Sequence, residues 1–188
     1  MILNLSVAHS ADMEYLVRQS MNTGYQWASA LVPPAYIAYI ISRRGKGDLS
    51  LNRVLRATWA GGLAGVSDIN FHYYGPQTPV QILRTGAAAA GGGAYLRYAY
   101  ANEQTVRTKR IETLYDVDNL RRNDHSTIGG ILGAVLTPAL FWKRANVAHL
   151  ILGGAGLGAA GGLLAHYTRT VSGDPPADVE LVIVSSPE

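Results

Sequence analysis

The residues most suggestive of chemistry are Gly156, Gly158 and Gly161, which spell GxGxxG directly after the apolar run 149–152. In a dinucleotide-binding fold that motif follows a strand and opens a helix whose N-terminus receives a pyrophosphate. An acid about 20 residues later then holds the ribose. Asp178 and Glu180 fall near that distance. However, the glycine run continues on both sides of the motif, and no alternating series of strands and helices precedes it. Gly-lined helix packing accounts for these residues better than a phosphate cradle does.

The five histidines, at 9, 72, 125, 149 and 166, lack zinc-type spacing and the carboxylate companions of an HExxH helix. His149 lies inside an apolar run, where a polar group is costly and often functional. Its place near the end of that run favours an interfacial position or a hydrogen bond to a neighbouring helix over a proton relay. Ser, His and Asp can be combined on paper, but no nucleophile motif accompanies them. Without cysteine, disulfides, Cys-ligated zinc and thiol chemistry are excluded. No catalytic residue, cofactor or metal ligand is nominated, and the expectation is a protein that is not an enzyme.

The elements that would position any such residue are long uncharged runs. Residues 126–142 and 145–165 are separated only by Lys143 and Arg144, and each approaches the roughly 20 residues that cross a bilayer core. Gly129 and Gly133 in the first run, and Gly154, Gly158 and Gly162 in the second, recur every four residues. On a helix that spacing makes a smooth stripe where another backbone can approach closely. A helical hairpin with a basic tip is expected. Trp27, Trp59, Trp142, Tyr95, Tyr98, Tyr100 and Tyr167 fall mostly at run ends, as an interfacial aromatic belt would.

The same pattern recurs earlier. Residues 19–42 are uncharged and end at Arg43-Arg44. Pro34 lacks a backbone donor and is expected to kink this span. A second Gly/Ala-rich run starts at Ala57 and breaks at Val66, then resumes at Gly86. Joining Gly65 to Gly86 makes residues 57–65 and 86–96 one run of 20 residues. Two readings of 66–85 stand side by side. It is an insertion, even a translated intron, since codons for Gly65-Val66 can supply a GT donor and those for Thr85-Gly86 a CAG acceptor. Alternatively it is a genuine loop between two short helices.

Both halves therefore read as a Pro-containing helix, a basic tip and a Gly-rich helix, making an all-α, polytopic membrane domain over 19–168 with about four spans as two hairpins. Residues 1–18 form a polar N-terminal segment with neither a secretory nor a transit signature, and Met13 or Met21 could also serve as the start. Residues 97–124 read as a solvated helical connector or, through Val106, Ile111, Leu114, Tyr115 and Leu120, as an amphipathic helix lying on a membrane or partner, with Asp124 or Ser126 capping the third span. Residues 169–188 form a polar tail ending in VELVIV. Basic residues crowd the two tips, which places both tips on one side and the termini on the other. The mean hydropathy of +0.07 averages these runs with polar connections, and a net charge of +3 is too small and dispersed to suggest nucleic acid.

The segments SLNRVLRATWAGG at 50–62 and DHSTIGGILGAVLTPALFWKRANVAHLILGGAGLG at 124–158 resemble a family of small, functionally uncharacterised fungal multi-pass membrane proteins. In architecture and glycine spacing the chain is more distantly similar to the Gly-rich, four-helix translocase family of the mitochondrial inner membrane. That family has a relative among the accessory subunits of NADH:ubiquinone oxidoreductase. The resemblance implies the mitochondrial inner membrane and carries over no functional residue. The leading expectation is a structural or accessory subunit of an inner-membrane complex such as the respiratory chain, with other membrane subunits and lipid as partners. A translocase or transporter component comes second, and a nucleotide-binding enzyme using 156–161 third.

Overall fold

The computed structural model describes residues 7–44, 50–64 and 86–173, all in helices or short connections. The described residues are all-α. Among them six helices follow in order: α1 (Val7–Arg44), α2 (Leu51–Ala64), α3 (Ala87–Ala99), α4 (Glu103–Tyr115), α5 (Val117–Phe141) and α6 (Val147–Val171). Segments 1–6, 45–49, 65–85 and 174–188, with the VELVIV stretch, lie outside the described residues.

α1 is a single helix of 38 residues that continues through Pro33 and Pro34. It serves as the rail for everything before α5. Gly61 of α2 faces Val32, and Gly62 faces Tyr25 and Ser29; Gly86 and Ala90 of the next segment face Gly24, and Gly91 faces Met21 and Val17. As the chain advances along α2 and then α3, its partners on α1 step steadily backward. The two short helices therefore run antiparallel to α1, one beyond the other. With Gly65 joined to Gly86, Gly62 and Gly86 would be one helical turn apart, in keeping with the one to five residues that separate their partners on α1.

α5 runs in the same direction as the first half of α1. Gln19 Nε2 donates to Asn119 Oδ1 at 3.1 Å, Arg122 Nη2 to Thr23 Oγ1 at 3.4 Å, and Gln26 Nε2 to Asn123 Oδ1 at 2.8 Å. α6 returns antiparallel against α5 and also touches α1 and α2. Leu55 and Thr58 of α2 face Gly153 and Gly156, so α2 and α6 descend together from the end that carries Arg53 and Lys143.

The expected cap of the third span is corrected. α5 begins at Val117, where the Asp116 carboxylate accepts from Asn119 N–H at 3.0 Å; Asp124 and Ser126 lie well inside the helix. The polar residues 117–125 continue the helix because charge by itself does not end one, and the boundary follows the cap. Asn102 and Asn146 cap α4 and α6 in the same way, accepting from Gln104 N–H at 3.3 Å and Ala148 N–H at 2.9 Å. Beyond α6, Gly173 adopts φ 92°, the left-handed conformation that closes a helix end.

An apolar cluster forms where α1 meets α4, with Met13, Leu16 and Val106 buried against Tyr15 and Tyr98. Val106 is the one buried residue of α4; Ile111, Leu114, Tyr115 and Leu120 are exposed. Asp12 and Arg110 form an ion pair between α1 and α4. Among the described helices, α6 alone is long and apolar enough to cross a membrane by length and composition, while α2 and α3 have 14 and 13 residues.

Candidate helix-packing interface

Gly129 and Gly133 on α5, and Gly154, Gly158 and Gly162 on α6, all come together in one interface. A helix places residues four apart on one face, so each row is a groove floored by bare backbone. The rows interdigitate: Gly129 lies against Gly158, Gly133 against Gly154 and Gly158, and Gly162 against His125 and Ser126. A Cβ built on Gly133 would stand 2.9 Å from Gly158 Cα, and one on Gly158 would stand 3.0 Å from Gly133 Cα. Carbonyl oxygens of the facing helix lie closer still to the added Cβ at Gly129, Gly133, Gly154, Gly158 and Gly162. The second hydrogen of each glycine occupies that space and points at a carbonyl, the geometry of a weak Cα–H···O contact.

The GxGxxG glycines divide among different surroundings. Gly156 seats Thr58 of α2, Gly158 faces α5, and Gly161 has nothing within 4 Å. All three lie mid-helix in α6, so their N–H groups belong to the helix ladder. They do not form the strand, loop and helix turn that exposes N–H groups to a phosphate.

Other glycines do the same work as the predicted row. Gly153 seats Leu55, Gly61 seats Val32, and Gly24 receives Ala90 and the Gly86 carbonyl. Their signal was present in the sequence as glycine inside apolar runs, but their partners are distant in the chain.

Polar side chains share the interior with Leu55, Leu150 and Leu163. Gln26, Ser29 and Thr58 are buried, and Thr58 Oγ1 donates to the Val54 carbonyl at 2.9 Å. His149 accepts a hydrogen bond from Trp59 Nε1 at 3.1 Å, with the rings stacked at 6.0 Å between centroids, so it ties α6 to α2. His166 is buried with Nε2 3.2 Å from Asp118 Oδ1, between the rings of His125 and Tyr167. That contact spans 48 residues and left no trace in the spacing of the histidines. Among the described residues no group of three His, Asp or Glu side chains is placed to hold a metal ion.

The outer face of α5 reverses the usual arrangement. Ile131, Val135, Leu140 and Trp142 are 62–73% exposed, as large apolar residues on a helix whose inner face is glycine. Ile128, Leu132 and Leu136 of α5 are exposed as well, as are Leu152 and Leu164 of α6. No protein family, curated protein or solved structure matches the chain.

Proposed function

We propose that the chain is a non-enzymatic, multi-pass integral membrane protein, a structural or accessory subunit of a larger inner-membrane assembly. The observation that carries this reading is the inverted packing of α5 and α6. Glycines of the two helices face each other across their seam, while Ile131, Val135 and Leu140 face outward along the second half of α5. A contiguous apolar surface of this extent is a liability in water and an asset in lipid or against another membrane helix. In this reading α1, the paired α2 and α3, α5 and α6 make four spans, and α4 lies outside the bilayer. The mitochondrial inner membrane and the respiratory chain enter from the resemblance in sequence, as does the place among accessory subunits.

A second reading, a component of a translocase or transporter, draws on the buried Gln26, Ser29 and Thr58, since polar groups at depth often mark a path. Here the hydroxyls sit in helix-to-helix contacts: Thr58 and Ser29 both pack on Gly156. That favours packing over passage.

Solubilising the tagged chain in mild detergent and resolving it on a native gel tests the proposal. Comigration with a larger assembly is expected. A crosslink to a transiting substrate, with no assembly, would favour the second reading, and recovery in the carbonate-soluble fraction would defeat both.

A further inference from the structure

A groove of about 620 Å³ lies where α1, α3, α4 and the start of α5 converge. Three cations line it, Arg97, Lys109 and Arg122, and no carboxylate does. Lys109 is paired at 2.9 Å with Glu112, which lines the adjoining cavity beside Arg97 and Lys109, so the charge of Lys109 is partly offset. Arg97 and Arg122 meet no carboxylate among the described residues: the Arg97 guanidinium lies 5.9 Å from the centroid of the Tyr98 ring, and Arg122 Nη2 donates to the neutral Thr23 and Asn119 side chains. Arg122 Nε is buried and has no acceptor among the described residues. A neighbouring cavity at Asp12 and Glu103 has acids to balance its arginines; this one does not.

The groove also has an apolar side. Trp27, Leu16 and Ala90 line it, and Gly93 leaves the wall of α3 open, with nothing within 4 Å of where a Cβ would stand. Trp27 packs against Tyr167 at 5.8 Å, an aromatic pair of the kind found at the level of lipid headgroups. Arg122 stands just before the uncharged stretch of α5 that starts at Ser126. Cations, hydroxyls and an aromatic pair at the end of the spans, beside an open glycine wall, match one ligand chemistry: a phosphate ester carrying an acyl chain.

We propose that this groove binds the phosphate of an anionic phospholipid, with Arg97 and Arg122 as its principal donors and Gly93 leaving room for the lipid beside α3. Guanidinium suits phosphate because its planar fork donates two parallel hydrogen bonds, and basic pockets between spans recognise anionic headgroups in this way. The site rests on the membrane reading above.

The test reconstitutes the full chain in phosphatidylcholine vesicles, with or without phosphatidylglycerol, and measures thermal unfolding together with the lipid that copurifies. Phosphatidylglycerol is expected to copurify and to raise the melting temperature, and inorganic phosphate at the same concentration to do neither. Arg97→Gln with Arg122→Gln is expected to weaken phosphatidylglycerol binding at least tenfold. Gly93→Leu, which fills the groove without changing charge, is expected to do the same while the fold persists. Lys143→Gln, at the opposite end, is expected to have no effect. Equal stabilisation by phosphatidylcholine, or an unchanged response in both groove variants, would overturn the site. An equal effect of inorganic phosphate would replace the lipid with a free anion. Failure to enter phosphatidylcholine vesicles at all would instead overturn the membrane reading, so the two failures are distinguishable. Should the arginine variants not fold, the comparison of lipids on the unmodified chain and the Gly93→Leu variant still decide the matter.

Discussion

Replacing Gly158 with Leu is expected to force α5 and α6 apart, to lower the melting temperature in detergent and to reduce migration with a larger assembly. A Cβ at this position would lie 2.8 Å from the Gly129 carbonyl carbon and 3.0 Å from Gly133 Cα. Those neighbours are backbone, so no rotamer change relieves the overlap, and the helices must move apart along the whole row. Overpacking a well-packed site commonly costs about 1–3 kcal/mol, and a backbone clash belongs at or above the upper end. Gly161→Leu is the matched control, because nothing lies within 4 Å of its Cβ position. Both substitutions improve intrinsic helix propensity by roughly 0.8 kcal/mol, so a loss confined to Gly158→Leu comes from the interface. Thermal unfolding of the two variants beside the unmodified chain reads this out. Equal melting temperatures for all three would remove the packing row from the account.

The second large effect is expected from joining Gly65 directly to Gly86. α2 and α3 already lie end to end on α1, with Gly62 against Tyr25 and Ser29 and Gly86 against Gly24. Deleting 66–85 should turn two helices of 14 and 13 residues into one span packed along α1. Closing a connection of this length costs on the order of 2–3 kcal/mol of chain entropy, so the shortened chain is expected to be the more stable by about that amount. Circular dichroism should show a higher helical fraction, and the melting temperature should rise. An aggregated or less stable product would show that the segment is a required loop. Sequencing the transcript separates the two origins: a dominant message without these codons makes the segment a retained intron.

The glycine rows were legible because a spacing of four has one meaning on a helix, whichever partner arrives. Gly129, Gly133, Gly154, Gly158 and Gly162 therefore appear together in the structure as the spacing implied. The continuity of α6 was legible for the same reason, since uncharged length is a local signal. The start of α5 was misplaced because hydrophobicity marks where a helix enters an apolar environment, while the helix itself starts at the Asp116 cap. Partners separated by tens of residues were beyond reach: Leu55 on Gly153, Trp59 on His149 and Asp118 on His166 depend on how α2, α5 and α6 assemble. The cationic groove was equally hidden, because Arg97, Lys109 and Arg122 sit on three different helices. Their neighbours in sequence include Glu112 and Asp124, which made the region read as evenly charged.

The absence of cysteine allows a direct test of the central claim, that the helices cross a membrane as two hairpins with both tips on one side. Ser50→Cys and Lys143→Cys report the two tips and Gln104→Cys reports α4, all at exposed positions. Each single variant, in sealed membrane vesicles, is treated with an impermeant maleimide before and after permeabilisation. The account predicts that the two tip variants label from the same face, that Gln104→Cys labels only from the other, and that all three remain in the carbonate-insoluble pellet. Tips labelling from opposite faces, or all three labelling alike in a carbonate-soluble fraction, would contradict it.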